Sequence, residues 1–262
     1  MEGLIITAIV LLCVSLVFSM FGKGGGEFYL PVIITILNIP FYTAAGVSLF
    51  LIFLQSISMV FVYSARNKLL DWKLAITLAI VVASMAFLGG FVSYGIPVAY
   101  LKTLFAIFLL VSAYFMLRRK NVNVSRGKFG VWHREFSGGS YDMNLLYIIL
   151  PVALVAFVAG MVGISGGGLI IPVCFLLGAV PLNIAMGTNT FLVLTSSSMS
   201  FLGHALKGGF DFKLCLILGA MVILGSQIGS RLHTRVNESF LRIGFVIILV
   251  AAAVWMIIKI FF

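Results

Sequence analysis

Charge is scarce in this sequence. Only 9% of its 262 residues are charged, against about 25% in a soluble domain. Acidic groups are scarcest, with seven Asp and Glu against 17 Lys and Arg. They are Glu2, Glu27, Asp71, Glu135, Asp142, Asp211 and Glu238, and none falls in the middle of an apolar run. An intramembrane hydrolase needs paired carboxylates, a histidine cluster or a nucleophile beside a base, so no catalytic residue is assigned and an enzyme is not expected. The three cysteines, Cys13, Cys174 and Cys215, lie in apolar runs without metal-ligand spacing. They read as buried small hydrophobes, and neither a metal nor a cofactor is expected. The net charge of +10 is not gathered on a polar module, which argues against nucleic acid as a partner.

What remains is apolar. Hydrophobic residues make up 62% of the chain and the mean hydropathy is +1.23. The expected class is an all-α integral membrane protein whose partner is the lipid bilayer, a polytopic helical bundle of eight to ten crossings in the cell inner membrane. Met1-Glu2-Gly3 offers no basic region before the first apolar run, and no small-residue cleavage pattern ends that run, so it is not expected to be a cleaved signal. Six of the Lys and Arg fall between Arg118 and Arg134, which reads as a cytoplasmic loop. The expected organisation is a first transmembrane repeat over 1–118, a basic loop over 119–144 and a second transmembrane repeat over 145–262.

Two glycine-rich stretches interrupt the apolar runs. Gly22-Lys23-Gly24-Gly25-Gly26-Glu27 precedes a short run with Pro31, and Gly163-Ile164-Ser165-Gly166-Gly167-Gly168 precedes another with Pro172. Successive glycines cost a helix roughly 1 kcal/mol each, and backbone that leaves the helix is tolerated in a membrane only when buried or lining a cavity. The offset from Gly22 to Gly163 is 141, and it also joins Gly25 to Gly166, Pro31 to Pro172, Pro40 to Pro181 and Gly46 to Gly187. At an offset of 140, Asp71-Trp72-Lys73-Leu74 meets Asp211-Phe212-Lys213-Leu214 and Gly89 meets Gly229. Apolar bias does not explain matched glycines, prolines and aspartates, so two homologous repeats are expected. If the short run crosses with its break, each half has five crossings and the halves are inverted. If it dips and returns, each has four and they are parallel. The brevity of the break favours inverted.

Polar groups within the runs are informative because they are few. Broken helices at matching places in two halves point to a transporter's binding site. A helix N-terminus carries about half a positive charge and orphan N–H donors, which suits an anion. Two such termini near the membrane centre would form a neutral, donor-rich anion site. Its expected members are Gly24, Gly25, Gly26 and Ser48 from the first half and Ser165, Gly166, Gly167, Gly168, Thr188, Asn189 and Thr190 from the second. Candidates for gating or coupling are Lys23, Glu27, Gln55 and His204. Each has a plainer reading. Lys23 and Glu27 could pair at a membrane edge, Gln55 could join helices, and His204 could be interfacial. Asp71 and Asp211 read as helix N-caps.

The paired Gly-x-x-Gly-Gly-x-x-x-x-Pro, the Gly187-Thr188-Asn189-Thr190 run and the Asp-aromatic-Lys before the third long run of each half resemble the TauE/SafE sulfite exporter family, also called the toluene sulfonate uptake permeases. The resemblance covers nearly the whole chain. It implies a secondary transporter of a small inorganic or organic sulfur anion, such as sulfite or an organosulfonate. The family motif falls on Gly22, Gly25, Gly26 and Pro31, and on Gly163, Gly166, Gly167, Gly168, Pro172, Gly187, Thr188, Asn189 and Thr190. Val47-Ser48-Leu49 departs from it, as do the charges of Lys23 and Glu27, so the halves are expected to contribute unequally. A passive anion channel and a membrane-embedded sulfur-metabolism enzyme or assembly factor are the alternatives. The helix faces are too uniformly apolar to display a dimer interface, which leaves a homodimer open.

Overall fold

The computed structural model describes residues 2–117, 131–136, 139–206 and 210–261. Among the described residues, five α-helices precede a β-hairpin and five follow it. The first set is α1 (Glu2–Met20), α2 (Gly26–Leu37), α3 (Phe41–Phe61), α4 (Trp72–Val92) and α5 (Val98–Leu117). The second is α6 (Leu145–Val162), α7 (Gly167–Leu176), α8 (Leu182–Ala205), α9 (Phe212–Leu232) and α10 (Glu238–Phe261). By length and composition α1, α3, α4, α6 and α9 can cross a membrane, while α2 and α7 are short. At 1.5 Å per residue the 12 residues of α2 and 10 of α7 cover roughly 15–18 Å, about half the hydrocarbon thickness. The boundaries follow the local chemistry. Pro40 and Pro181 precede α3 and α8, and the Asp71 and Asp211 carboxylates each accept from two backbone N–H groups at the start of α4 and α9.

The expected all-α class needs one correction. Strands β1 (Val131–Phe136) and β2 (Gly139–Asn144) form an antiparallel hairpin where a loop was expected. The rest of the basic loop, with Arg118, Arg119, Lys120, Arg126 and Lys128, lies outside the described residues. The hairpin is docked. Arg134 forms two hydrogen bonds to the Asp71 carboxylate, at 2.6 and 3.1 Å, and Tyr141 donates a third at 2.8 Å.

Contacts fix the helix directions. Gly225, Gly229 and His233 meet Leu12, Leu16 and Met20 in rising order, and Tyr63 Oη donates to the Ser19 and Met20 carbonyls. So α1, α3 and α9 run one way. Gly89 packs on Phe157 and Met161, His204 Nε2 donates to the Gly160 carbonyl, and Asp71 N–H donates to Thr188 at the start of α8. So α4, α6 and α8 run together. They run opposite to the first group, because Gly22 at the end of α1 abuts Met186 near the start of α8, and Gly163 at the end of α6 abuts Ala45 near the start of α3. Gly22 and Gly163 have φ of +63° and +85°, a region that glycine enters without strain. The short helices turn back. Ile36 on α2 lies against Gly3, and Gly178 just after α7 lies against Ile148.

The core is therefore shared across the hairpin. Helix α1 packs chiefly on α9 and α6 on α4, with α3 and α8 against each other between them. Close approach needs small residues, as membrane helices generally use. Cys174 and Cys215 are buried as expected, but Cys13 faces outward.

Candidate functional site

The two glycine segments meet. A Cβ on Gly24 would lie 3.0 Å from Ser165 Oγ, one on Gly26 would lie 3.3 Å from Ile164, and one on Gly167 would lie 3.4 Å from Lys23 Cβ. The first turns of α2 and α7 thus start from one locality. The first N–H groups of a helix have no partner within it, so both ends bring donors there. One is already used, because Gly25 N–H donates to Gln55 Oε1 at 3.0 Å. That acceptor also takes the Tyr29 hydroxyl, while Gln55 Nε2 donates to Ser19 Oγ. Gln55 is thus a side-chain acceptor at the head of α2, and the Gly25 N–H is engaged by it.

Lys23 and Glu27 depart furthest from expectation. Their ammonium and carboxylate are 3.0 Å apart, with side chains 0% and 3% exposed. The pairing expected from their spacing is present, but it is buried inside the protein, so the site is not built from neutral donors alone. The pair lies against the bare backbone of α7, where a Cβ on Gly168 would stand 2.5 Å from Glu27 Oε1 and 3.0 Å from Lys23 Nζ. The Phe18 ring sits 4.7 Å from the ammonium, a cation–π distance. Glu27 Oε2 has no hydrogen-bond partner among the described residues.

The other expected residues divide. Asn189 faces the glycines: its Nδ2 donates to the Gly22 carbonyl at 2.8 Å and would lie 2.9 Å from a Cβ on Gly167, while its Oδ1 has no partner among the described residues. Ser165 faces Gly24. Ser48 is fully buried with Oγ unpartnered among the described residues. Thr188 instead accepts from Asp71 N–H, and Thr190 donates back to the Gly187 carbonyl of its own helix. Gly166 turns toward Ala159 and Val155 of α6. His204 is buried and bonded to Gly160. Fifteen residues beyond Asn189 on one helix, it is about 22 Å away.

Two wall residues were not foreseen. Ile52 and Val193 are fully buried, and Ile52 packs on Gly24 and Gly26 while Val193 packs on Gly24 and Gly167. They are 141 residues apart, so the repeat offset could have identified them. Elsewhere, an apolar groove of about 340 Å³ opens between α5, α6 and α7, lined by Val111, Leu154, Leu169, Pro172 and Leu177 among other apolar side chains. It suits acyl chains better than an anion.

Comparison with known proteins gives the family of the chain. The family model described as "Sulfite exporter TauE/SafE" matches residues 7–256. The chain is 27% identical over 249 residues to a probable membrane transporter protein of Methanocaldococcus jannaschii, covering 88% of this chain and 86% of that one. It is 25% identical to the probable membrane transporter protein YunE of Bacillus subtilis, covering 88% and 90%. A sulfite exporter TauE/SafE family protein of Arabidopsis thaliana is 24% identical over 57% of this chain and 36% of its own. No solved structure matches. With apolar helices long enough to cross a bilayer, and a family match from near one end to near the other, the chain belongs to the sulfite exporter TauE/SafE family of membrane transporters.

Proposed function

We propose that this membrane transporter is a multi-pass carrier of the cell inner membrane that moves a small sulfur-containing anion, sulfite or an organosulfonate. The anion binds between the heads of α2 and α7, and two inverted repeats rock about it in alternating access. One observation carries this reading: two glycine-led helix ends converge on a buried cation, Lys23, beside Asn189 and Ser165. Helix N-termini and an ammonium both favour an anion.

The repeat reading is supported by contacts that recur at the sequence offset. Tyr63 on Ser19 recurs as His204 on Gly160. Gly22 on Met186 recurs as Gly163 on Ala45, and Gly229 on Leu16 recurs as Gly89 on Phe157. Opposite directions for α1 and α6, with short helices that each run back along their predecessor, favour five crossings per half and inversion. Helices of this kind at matching positions are the usual seat of a transporter's substrate.

The test is anion flux into liposomes holding the pure protein, with sulfite, thiosulfate, sulfate, taurine and chloride compared. Saturable uptake of sulfite or a sulfonate is expected, abolished by Gly167→Leu. Asn189→Ala is expected to lower it about fivefold, the worth of one hydrogen bond of ~1 kcal/mol. Non-saturating flux of chloride alone would replace the carrier with a channel. Chemical change of the anion would replace it with an enzyme.

A further inference from the structure

We infer that Lys23 and Glu27 form an exchangeable ion pair through which one proton accompanies each anion. The inference rests on the anion-carrier reading above. It begins from where the Glu27 carboxylate lies. It is 3.0 Å from the only ammonium among the described residues at the site, against the bare first turn of α7 at Gly168. That is the place which a cation and a helix N-terminus together offer to a small oxyanion. Glu27 therefore stands where the substrate would, as a tethered substitute for it.

The charge count then constrains what happens when an anion arrives. Lys23 and Glu27 together are neutral, and both are almost wholly excluded from solvent. A third charge in that enclosure would leave one negative charge uncompensated in a medium that solvates it poorly. Uptake of a proton by Glu27 removes the excess. The titratable groups that meet Glu27 among the described residues are Lys23 and Tyr29, and Tyr29 is tied to Gln55. The elements around the pair bring Phe18 from α1, Gly168 from α7 and Leu249 from α10, none of which can take the proton. Glu27 Oε2, without a partner among the described residues, is the oxygen that receives it.

The cycle balances. With the site empty, Lys23 ammonium pairs with Glu27 carboxylate. A monoanion binds Lys23, and a proton from water on the same side binds Glu27, so the loaded site is again neutral. On the far side the anion leaves, Glu27 loses its proton to water, and the pair re-forms. One anion and one proton move together without net charge. In the empty site the neutral pair lies closed against the first turn of α7, so the carrier returns without cargo.

The test uses the full-length protein in liposomes with methanesulfonate, a monoanion that does not titrate near neutral pH, and with sulfite as the second probe. The expected result is uptake driven by an inward proton gradient to about tenfold accumulation per pH unit, unaffected by a potassium diffusion potential. Uptake that follows the potential and ignores the pH gradient overturns the inference while the carrier reading stands. Glu27→Gln is expected to lose proton-driven accumulation entirely, and accumulation at the wild-type level in that variant also overturns it. Should Glu27→Gln fail to fold, the wild-type measurement decides alone. If wild-type protein moves neither probe, both the inference and the carrier reading fall.

Discussion

Glycines do two different jobs in this chain, and single substitutions separate them. A Cβ on Gly95, in the turn between α4 and α5, would meet nothing within 4 Å. A Cβ on Gly168 would press on Glu27 and Lys23. Gly95→Ala is expected to leave sulfite uptake unchanged, and Gly168→Ala to lower it by about tenfold or more, within the range that an ångström of misplacement at a site can cost. Initial rates in liposomes, at equal protein content, check both. Residue types were easy to read here and depths were not. Lys23 and Glu27 are four apart just after α1 ends, so spacing gives their adjacency. Their burial comes in part from α7, which lies more than a hundred residues away. Similarly, Thr188, Asn189 and Thr190 are consecutive on a helix and point about 100° apart, so only one of them can face the glycines.

The same cap at two elements carries different loads. Asp71 and Asp211 each accept from the N–H groups two and three residues on. Only Asp71 also receives Arg134 and Tyr141 from the hairpin. Asn caps a helix about as well as Asp. Asp211→Asn should therefore shift stability by no more than about 0.5 kcal/mol, and Asp71→Asn should cost about 1–3 kcal/mol. Thermal unfolding of the purified protein distinguishes them. Burial alone would raise the Asp71 pKa, but Arg134, Tyr141 and the Leu74 N–H outweigh it and hold it below the usual carboxylate range. Its contribution is thus present above about pH 4 and lost as pH falls through the lowered value. On the exposed face of the hairpin, Asp142 and then Glu135 hold His133 above its usual value. That contribution is present below about pH 6.5 and lost as pH rises through the raised value. His133→Ala should flatten only this alkaline side, as read from Tm against pH. The hairpin itself was hidden by its basic surroundings, although Trp132, Arg134 and Phe136 alternate with period two.

At the scale of the whole molecule, the proposed ten crossings would put both termini on one face and the hairpin on the other. A cysteine at Glu2 and one at Ser140, in a Cys13→Ala background, should react with an impermeant maleimide from opposite sides of the membrane. Labelling from the same side would mean eight crossings and parallel halves. The ends of the helices and the glycine segments were legible because glycine, proline and aspartate at a fixed offset are not forced by membrane composition. The directions of the helices were not, since apolar runs give no sign of which neighbour they choose. That choice has a consequence for biosynthesis. Ser15 on α1 donates to the carbonyl of Val222 on α9, 207 residues further on. At about 5–20 residues per second, a ribosome needs roughly 10–40 s to make the partner. Throughout that time the Ser15 hydroxyl of α1 stands without its α9 partner, whereas Thr7 bonds within its own helix and Ser19 meets Gln55 of α3. Newly made α1 should therefore be the segment on which insertion machinery lingers longest, and pausing synthesis before α9 should leave it open to crosslinking with that machinery.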